Sequence, residues 1–230
     1  MNVQKNNGLN GRVPIGFKLY KTINCDARIN ELVWSPDGTK LAWGSNDNVV
    51  RVWDIQKETT QTFPTNNAWI WCLAWSPDNR LLASGSGGQT IDIWDTQNNK
   101  IYQKLRKHTG SVFSLAWSSD GLILASSSID GIIYLWDPKT GEPKKVLEGD
   151  YLARSTAWSR IGPILASGYH DNSIRLWAFG KNGIKVNDLI GHQDLVYSLA
   201  WSPDGNLLAS SSADRSIRIW NPKMGLPQSC

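Results

Sequence analysis

The sequence predicts an all-β chain, a β-propeller of five four-stranded antiparallel blades, with an N-terminal strand completing the last blade. Two tryptophan series carry the prediction: Trp34, Trp75, Trp117, Trp158 and Trp201, and Trp53, Trp94, Trp136, Trp177 and Trp220, both stepping by 41, 42, 41 and 43 residues. The two members of each pair stand 19 residues apart, so one unit is copied five times. A repeat of this length marks an array of supersecondary units that bury their cores against one another. Within each unit, short apolar runs alternate with period two and are separated by turn-forming quartets, as strands of a meander require.

The innermost strand of each unit ends at its first tryptophan, and a turn follows. Ser202-Pro203-Asp204-Gly205 sets φ at proline and tolerates positive φ at glycine, so between two apolar runs it predicts a hairpin. The quartet returns as residues 35–38, as Ser76-Pro77-Asp78-Asn79 and as residues 118–121; Ser159-Arg160-Ile161-Gly162 lacks the proline and aspartate and is expected to turn differently. The middle strand, as in Leu81-Leu82-Ala83-Ser84, starts Leu-rich and ends in small residues, which suits sheets stacked closely. In the third strand, as in Ile217-Arg218-Ile219-Trp220, the residues one and three before the tryptophan point to one face. The tryptophan and the residue two before it point to the other, so both faces are buried.

Outer strands are predicted at residues 59–63, 100–105, 143–147 and 184–190. After Trp220 the chain offers two prolines and no outer strand, whereas residues 17–23 form an alternating segment with no unit of its own. That segment is expected to complete the last sheet and close the ring, leaving no stray edge. The domain limits follow: a flexible tail over residues 1–16, the propeller over 17–221, and a short tail over 222–230.

Composition narrows the function. The net charge of +4 is modest and its charges are scattered, which argues against a nucleic-acid partner. Cys25, Cys72 and Cys230 have no metal-ligand spacing, and no metal or cofactor is expected. Neither a signal-peptide run nor eighteen consecutive apolar residues is present, so a cytoplasmic protein with no membrane association is expected.

On these units the chain resembles the WD-repeat β-propeller family over roughly residues 17–221. Three units end in Trp53-Asp54, Trp94-Asp95 and Trp136-Asp137, two end in Trp177-Ala178 and Trp220-Asn221, and Gly191-His192 supplies the family's other dipeptide. The resemblance implies a hydrogen-bonded set of His, Ser, Asp and Trp in each blade, with the histidine donating to the serine and aspartate. Two units carry it whole, as His108, Ser126, Asp130 and Trp136 and as His192, Ser210, Asp214 and Trp220. The first unit has Trp43 at the serine position and Asp26 near the histidine position, the second has Gly88 in place of the aspartate, and the fourth has Asp150 near the histidine position. Those three blades are therefore expected to be less rigid. Members of the family most often have seven blades, so the five found here also suit a segment of a longer product, or an open arc that pairs with another chain.

The Ser-His-Asp sets look like hydrolase triads but are expected to be scaffold, because a triad needs an accessible serine beside an oxyanion site. Gly85-Ser86-Gly87-Gly88 lacks the Lys and Ser/Thr of a phosphate loop, and His170 has no ligand neighbours at metal spacing. Propeller glycosidases gather carboxylates in the channel, yet the channel positions three before each first tryptophan are Glu31, Cys72, Ser114, Ser155 and Ser198, a single acid. By family analogy, partners meet the top of the innermost strands, where this chain places Arg28, Asn30, Trp69, Trp71, Phe113, Arg154, Leu195 and Tyr197. Trp, Tyr and Arg are the residue types that dominate binding hot spots. The expected function is therefore a non-enzymatic scaffold for a protein or peptide partner; a propeller hydrolase and a nucleic-acid-binding propeller are the alternatives.

Overall fold

The computed structural model describes residues 18–65, 68–149 and 151–222. The N-terminal tail, Phe17, Asp150 and residues 223–230 lie outside the described residues. Blade 1 is a meander of β1 (Ile29–Trp34), β2 (Lys40–Ser45), β3 (Val49–Asp54) and β4 (Thr59–Pro64). Blade 2 repeats it with β5 (Ile70–Trp75), β6 (Leu81–Ser86), β7 (Ile91–Asp95) and β8 (Lys100–Leu105). Blade 3 holds β9 (Val112–Trp117), β10 (Leu124–Ser128), β11 (Ile132–Trp136) and β12 (Pro143–Glu148). Blade 4 holds β13 (Ala153–Trp158), β14 (Ile164–Tyr169), β15 (Ile174–Gly180) and β16 (Gly183–Leu189), and blade 5 holds β17 (Val196–Trp201), β18 (Leu208–Ser212) and β19 (Ile217–Trp220).

Strand register explains the spacing of the tryptophans. In every blade one leucine of the middle strand pairs with both: Leu41 with Trp34 and Trp53, Leu82 with Trp75 and Trp94, Leu124 with Trp117 and Trp136. Leu165 and Leu208 do the same for blades 4 and 5. The result is a Trp-Leu-Trp row on one face of each sheet. The opposite face carries the alanine of the middle strand and the two aliphatic residues of the third, so the blades have two different faces.

These unlike faces pack on each other. Val50, Val52, Ala42 and Phe63 of blade 1 meet Ile70, Leu73, Trp75, Leu82 and Trp94 of blade 2 in one core cluster. Three similar clusters join blade 2 to blade 3, blade 3 to blade 4 and blade 4 to blade 5. Small residues set the approach, as the middle strands predicted. A Cβ on Gly44 would stand 2.4 Å from Ile70 Cγ2, one on Gly85 2.8 Å from Val112 Cγ1, and one on Gly168 2.7 Å from Val196 Cγ1. At the equivalent position of the repeat blade 3 has Ser127, and the inner strand of blade 4 has the smaller Ala153 where the others have Ile70, Val112 and Val196. The pair conserves volume while exchanging which partner is large.

Turn chemistry follows the sequence. Gly38, Asn79, Gly121 and Gly205 all have φ between 63° and 70°, and each donates its N–H to the carbonyl of the serine that opens its quartet. That serine's hydroxyl donates to the aspartate two residues on. In the fourth quartet Ser159 Oγ donates to the Ile161 carbonyl, at 2.9 Å, because no aspartate is there to accept. The aspartates of the Trp-Asp dipeptides close the next turn: Asp54 and Asp95 accept backbone N–H groups two and three residues on, and Asp137 accepts that of Lys139. Ala178 cannot accept, and blade 4 instead extends into the longer hairpin of β15 and β16.

Ring closure is the correction. Among the described residues the fifth sheet has three strands, and Lys18–Ile23 form no strand. This segment instead lies on the open face of blade 1, where Tyr20, Lys21, Ile23 and Cys25 line one cleft with Trp34, Leu41, Trp43 and Trp53. Lys21 Nζ stands 5.0 Å from the Trp53 ring centroid and 3.2 Å from Glu58. The apolar face of blade 1 thus holds the segment expected to pair with β19, Lys21 and Ile23 against it while Leu19 and Tyr20 stay exposed. The inner strands pack in the series β1, β5, β9, β13, β17 and do not return from β17 to β1 with comparable contact. Among the described residues, the five blades thus form an arc with two free ends.

Gly44→Ala is expected to cost about 1–3 kcal/mol, since Ile70 must shift at its branch point. Gly44→Ser with Ile70→Ala, which copies the Ser127 and Ala153 pair, is expected to cost less than the sum of its two single changes in urea unfolding. Arg215, exposed and held at φ 67° in the last hairpin, gives a converse test. Arg215→Gly is expected to raise stability by roughly 0.5–1 kcal/mol, relief of left-handed strain outweighing the chain entropy that glycine adds.

Candidate functional site

Each innermost strand carries the same irregularity. Pairing with the middle strand slips between Ile29 and Glu31, Ile70 and Cys72, Val112 and Ser114, Ala153 and Ser155, and Val196 and Ser198. The unpaired residues are Asn30, Trp71, Phe113, Arg154 and Tyr197, four before the first tryptophan in every blade. A bulge re-aims the side chain it releases from the ladder. All five side chains converge on one cavity of about 450 Å³ at the end of the channel, with Arg28 and Glu31 beside them.

Aromatic contacts run across three blades of this cavity. Trp69 and Trp71 meet edge to face with centroids 5.7 Å apart, Trp71 meets Phe113 at 5.9 Å, and the Arg154 guanidinium lies over the Phe113 ring at 4.1 Å. A Cβ on Gly87 would come 3.2 Å from Trp71 Nε1, so that hairpin glycine leaves room for the indole. The hairpin containing Gly85–Gly88 therefore supports Trp71 rather than cradling phosphate. Trp69 is 52% exposed and Tyr197 51%, which leaves much of their aromatic surface facing solvent.

Not every expected residue is free to act. Asn30 Nδ2 donates to Asn46 Oδ1 at 2.7 Å and to the Ile70 carbonyl at 2.9 Å, so its amide stitches blade 1 to blade 2. Leu195 does not line the cavity, and its carbonyl accepts the Ala213 N–H. Trp69 stands at the rim beside Trp71. Sequence reasoning missed Thr156, which lines the cavity where the other blades hold Leu32, Leu73, Leu115 and Leu199. Ser114 Oγ accepts the Thr156 N–H at 3.0 Å, so a polar residue at an otherwise leucine position was the available signal.

The channel chemistry is subdued. Burial raises the Glu31 carboxyl above its ordinary range, and Glu31 is the single carboxylate among the described residues that line the cavity. The two-carboxylate arrangement of a glycosidase lacks its second member there. Burial, with Glu31 nearby, pushes the Cys72 thiol far up, and its Sγ–H points to the Val112 carbonyl at 3.5 Å. A thiol in that state is a packing group, not a nucleophile. His170 is exposed on a loop.

The two complete hydrogen-bond sets are interior. Asp130 Oδ2 lies 2.8 Å from His108 Nδ1, Ser126 Oγ lies 2.8 Å from Nε2, and Trp136 Nε1 donates to the same Ser126 oxygen at 2.7 Å. His192, Ser210, Asp214 and Trp220 repeat this at 2.7, 2.7 and 2.8 Å. Burial holds His108 below its ordinary pKa of 6.5, so the ring is neutral and carries one N–H. Asp130 Oδ2 and Ser126 Oγ bracket the ring, one on each nitrogen, and Asp130 also accepts the Thr109 N–H. Ser126 is fully buried, so the arrangement has the atoms of a triad without a path for substrate.

Incomplete sets keep what their residues allow. Trp94 donates to Ser84 at 2.9 Å and Trp177 to Ser167 at 2.8 Å, while Arg175, stacked over Tyr169 at 4.6 Å, reaches Asp171 in blade 4. In blade 1 the indole N–H of Trp43 is buried without a partner among the described residues.

At the opposite end of the channel a cavity of about 620 Å³ is lined by Trp75, Trp117 and Trp158. Trp75 and Trp117 are buried there, and Trp117 Nε1 donates to the Ala74 carbonyl of the preceding blade at 3.0 Å. Those indoles are committed to packing, which leaves the Trp69 end as the aromatic surface open to a ligand.

The family model for the WD domain, G-beta repeat, matches residues 17–54, 57–95, 99–137, 141–178 and 183–221. The chain belongs to the WD-repeat family. No curated protein matches it. WD repeats generally mediate protein–protein interaction and are typically non-enzymatic. Among the described residues, no helix of this WD-repeat chain is long and apolar enough to cross a membrane.

Ser126→Ala strands the Trp136 indole N–H and removes the partner of His108 Nε2, and is expected to cost about 2–4 kcal/mol in denaturant unfolding. The depressed pKa of His108 has a defined sign: its contribution is present above 6.5, the unfolded value, and is lost as pH falls through the lower folded value. Burial also opposes the Asp130 carboxylate, but the Ile132 and Thr109 N–H groups and His108 together hold it below 3.8, so a second loss begins only in that acid range. The urea midpoint is expected to drop between about pH 7.5 and about pH 5, and His108→Gln is expected to show a smaller drop over the same interval.

Proposed function

We propose that this chain is a non-enzymatic scaffold whose Trp69 end of the channel binds a peptide segment of a partner protein. The observation that carries the proposal is the run of contacts from Trp69 through Trp71 and Phe113 to Arg154, displayed by bulges at one repeated position. Half-exposed Trp69 and Tyr197 offer flat apolar surface to a side chain of the peptide, and Arg28 and Arg154 offer cations to its carbonyl or carboxylate groups. The mechanism is rigid display. Sheets hold the five bulged residues in place before a partner arrives, so little ordering cost falls on the propeller side.

The reading favours recognition over hydrolysis because each Ser-His-Asp set points into a sheet and Glu31 lacks a paired acid in the cavity. Peptides selected from a displayed random library against the wild-type chain are the test. Trp71→Ala with Arg154→Ala is expected to weaken them by roughly thirtyfold, about 2 kcal/mol, with an unchanged circular dichroism spectrum and melting temperature. Undiminished binding by that double variant would sink the proposal.

A further inference from the structure

The two ends of the arc expose positions whose counterparts at the internal junctions are buried or half-buried. At the aliphatic positions of the third strand, Val50, Val52, Ile91, Ile93, Ile133, Leu135, Ile174 and Leu176 are at most 3% exposed, whereas Ile217 is 75% and Ile219 62%. At the other end, Ile70, Leu73 and Trp75 of β5 are at most 7% exposed, while the corresponding Ile29, Leu32 and Trp34 of β1 are 44%, 55% and 56%. Large apolar groups clustered at such exposure mark an interaction surface. Among the described residues, no strand pairs with the free edge of β19.

The leftover faces are unlike, and in this chain unlike faces are what pack. Each of the four internal junctions sets an aliphatic face against the face bearing a Trp-Leu-Trp row. One free aliphatic face remains on blade 5, and one partly free tryptophan face remains on blade 1. They belong to the same molecule but lie at opposite ends of the arc. The blade 1 face retains a cleft of about 380 Å³ between the Tyr20–Cys25 segment and Leu32, Trp34 and Trp43, open to entering aliphatic side chains.

We infer that the chain self-associates head to tail, Ile217 and Ile219 of one copy packing against Ile29, Leu32 and Trp34 of the next. The contact is heterologous: different surfaces meet, so each copy uses both ends, and the assembly closes into a ring or extends as its rotation dictates. A second copy is the occupant because the chain itself carries the complementary face, built to the same repeat as its four internal junctions. The inference stands independently of peptide binding in the channel.

Sedimentation and light scattering of the full chain over a concentration series test it, with three samples beside the wild type. Ile217→Asp with Ile219→Asp disables the blade 5 end, and Leu32→Asp with Trp34→Asp disables the blade 1 end. All four positions are more than half exposed, so the fold is expected to survive; if the second variant unfolds, Ile29→Lys replaces it. The wild type is expected to gain mass with concentration, and each variant alone to associate at least tenfold more weakly. Mixed in equal amounts, the two variants keep one good end each and are expected to form a 1:1 dimer that grows no further. A wild type that stays monomeric throughout overturns the inference, as does association lost on changing blade 5 but not blade 1, which would mean two blade 5 faces meeting back to back.

Discussion

Everything in this structure depends on the packing of an aliphatic sheet face against a Trp-Leu-Trp face. Neither face is stable in water, and no blade can bury both within itself. Stability therefore accrues at the junctions between blades, as expected for a repeat array whose units contact only their neighbours. The glycines at positions 44, 85 and 168 let the sheets come close enough for the two kinds of side chain to interlock. At the junction of blades 3 and 4 the same space is shared between serine and alanine instead. The tolerance lies in the sum of the two volumes, not in either residue.

The hydrogen-bonded sets are secondary to this packing and tune it. His108 and His192 each sit between a serine and an aspartate, turning polar groups that burial would penalise into a satisfied network beside the tryptophan. Blades 2 and 4 retain only the tryptophan-to-serine bond, and blade 1 replaces the serine with Trp43 and covers it with the N-terminal segment. Loss of polar members is tolerated because the junction clusters persist without them. Position in the arc also matters. Blade 3 has a neighbour on both faces and a complete set, whereas blade 5 has a complete set but one bare face.

The candidate site is a by-product of the same repeat. A bulge at one position of the inner strand is copied five times, and each copy releases one side chain toward the channel. Repetition supplies the geometry and divergence supplies the chemistry: Asn30, Trp71, Phe113, Arg154 and Tyr197 share a backbone environment and nothing else. Regular tryptophans at the internal junctions, such as Trp75 and Trp117 at the opposite mouth, are by contrast occupied in packing, while Trp34 at the end of the arc is not. An aromatic residue off the period is free for another use because the scaffold does not require it.

By itself, the sequence determined the five units, their hairpins and the strand faces, because strand period and turn chemistry are local and the repeat multiplies each local signal. It also singled out Trp71, Phe113, Arg154 and Tyr197, though only by the resemblance, since a bulge leaves no mark in a period-two pattern. Tertiary structure decided three things: that Asn30 is bound between blades, that Leu195 is set aside, and that the described blades leave the ring open. The last has the clearest physical reason. Residues 18–23 alternate well enough to be a strand, but they lie along the face of blade 1 beside Trp43 and Trp53, a contact between parts of the chain distant in sequence that no local pattern encodes.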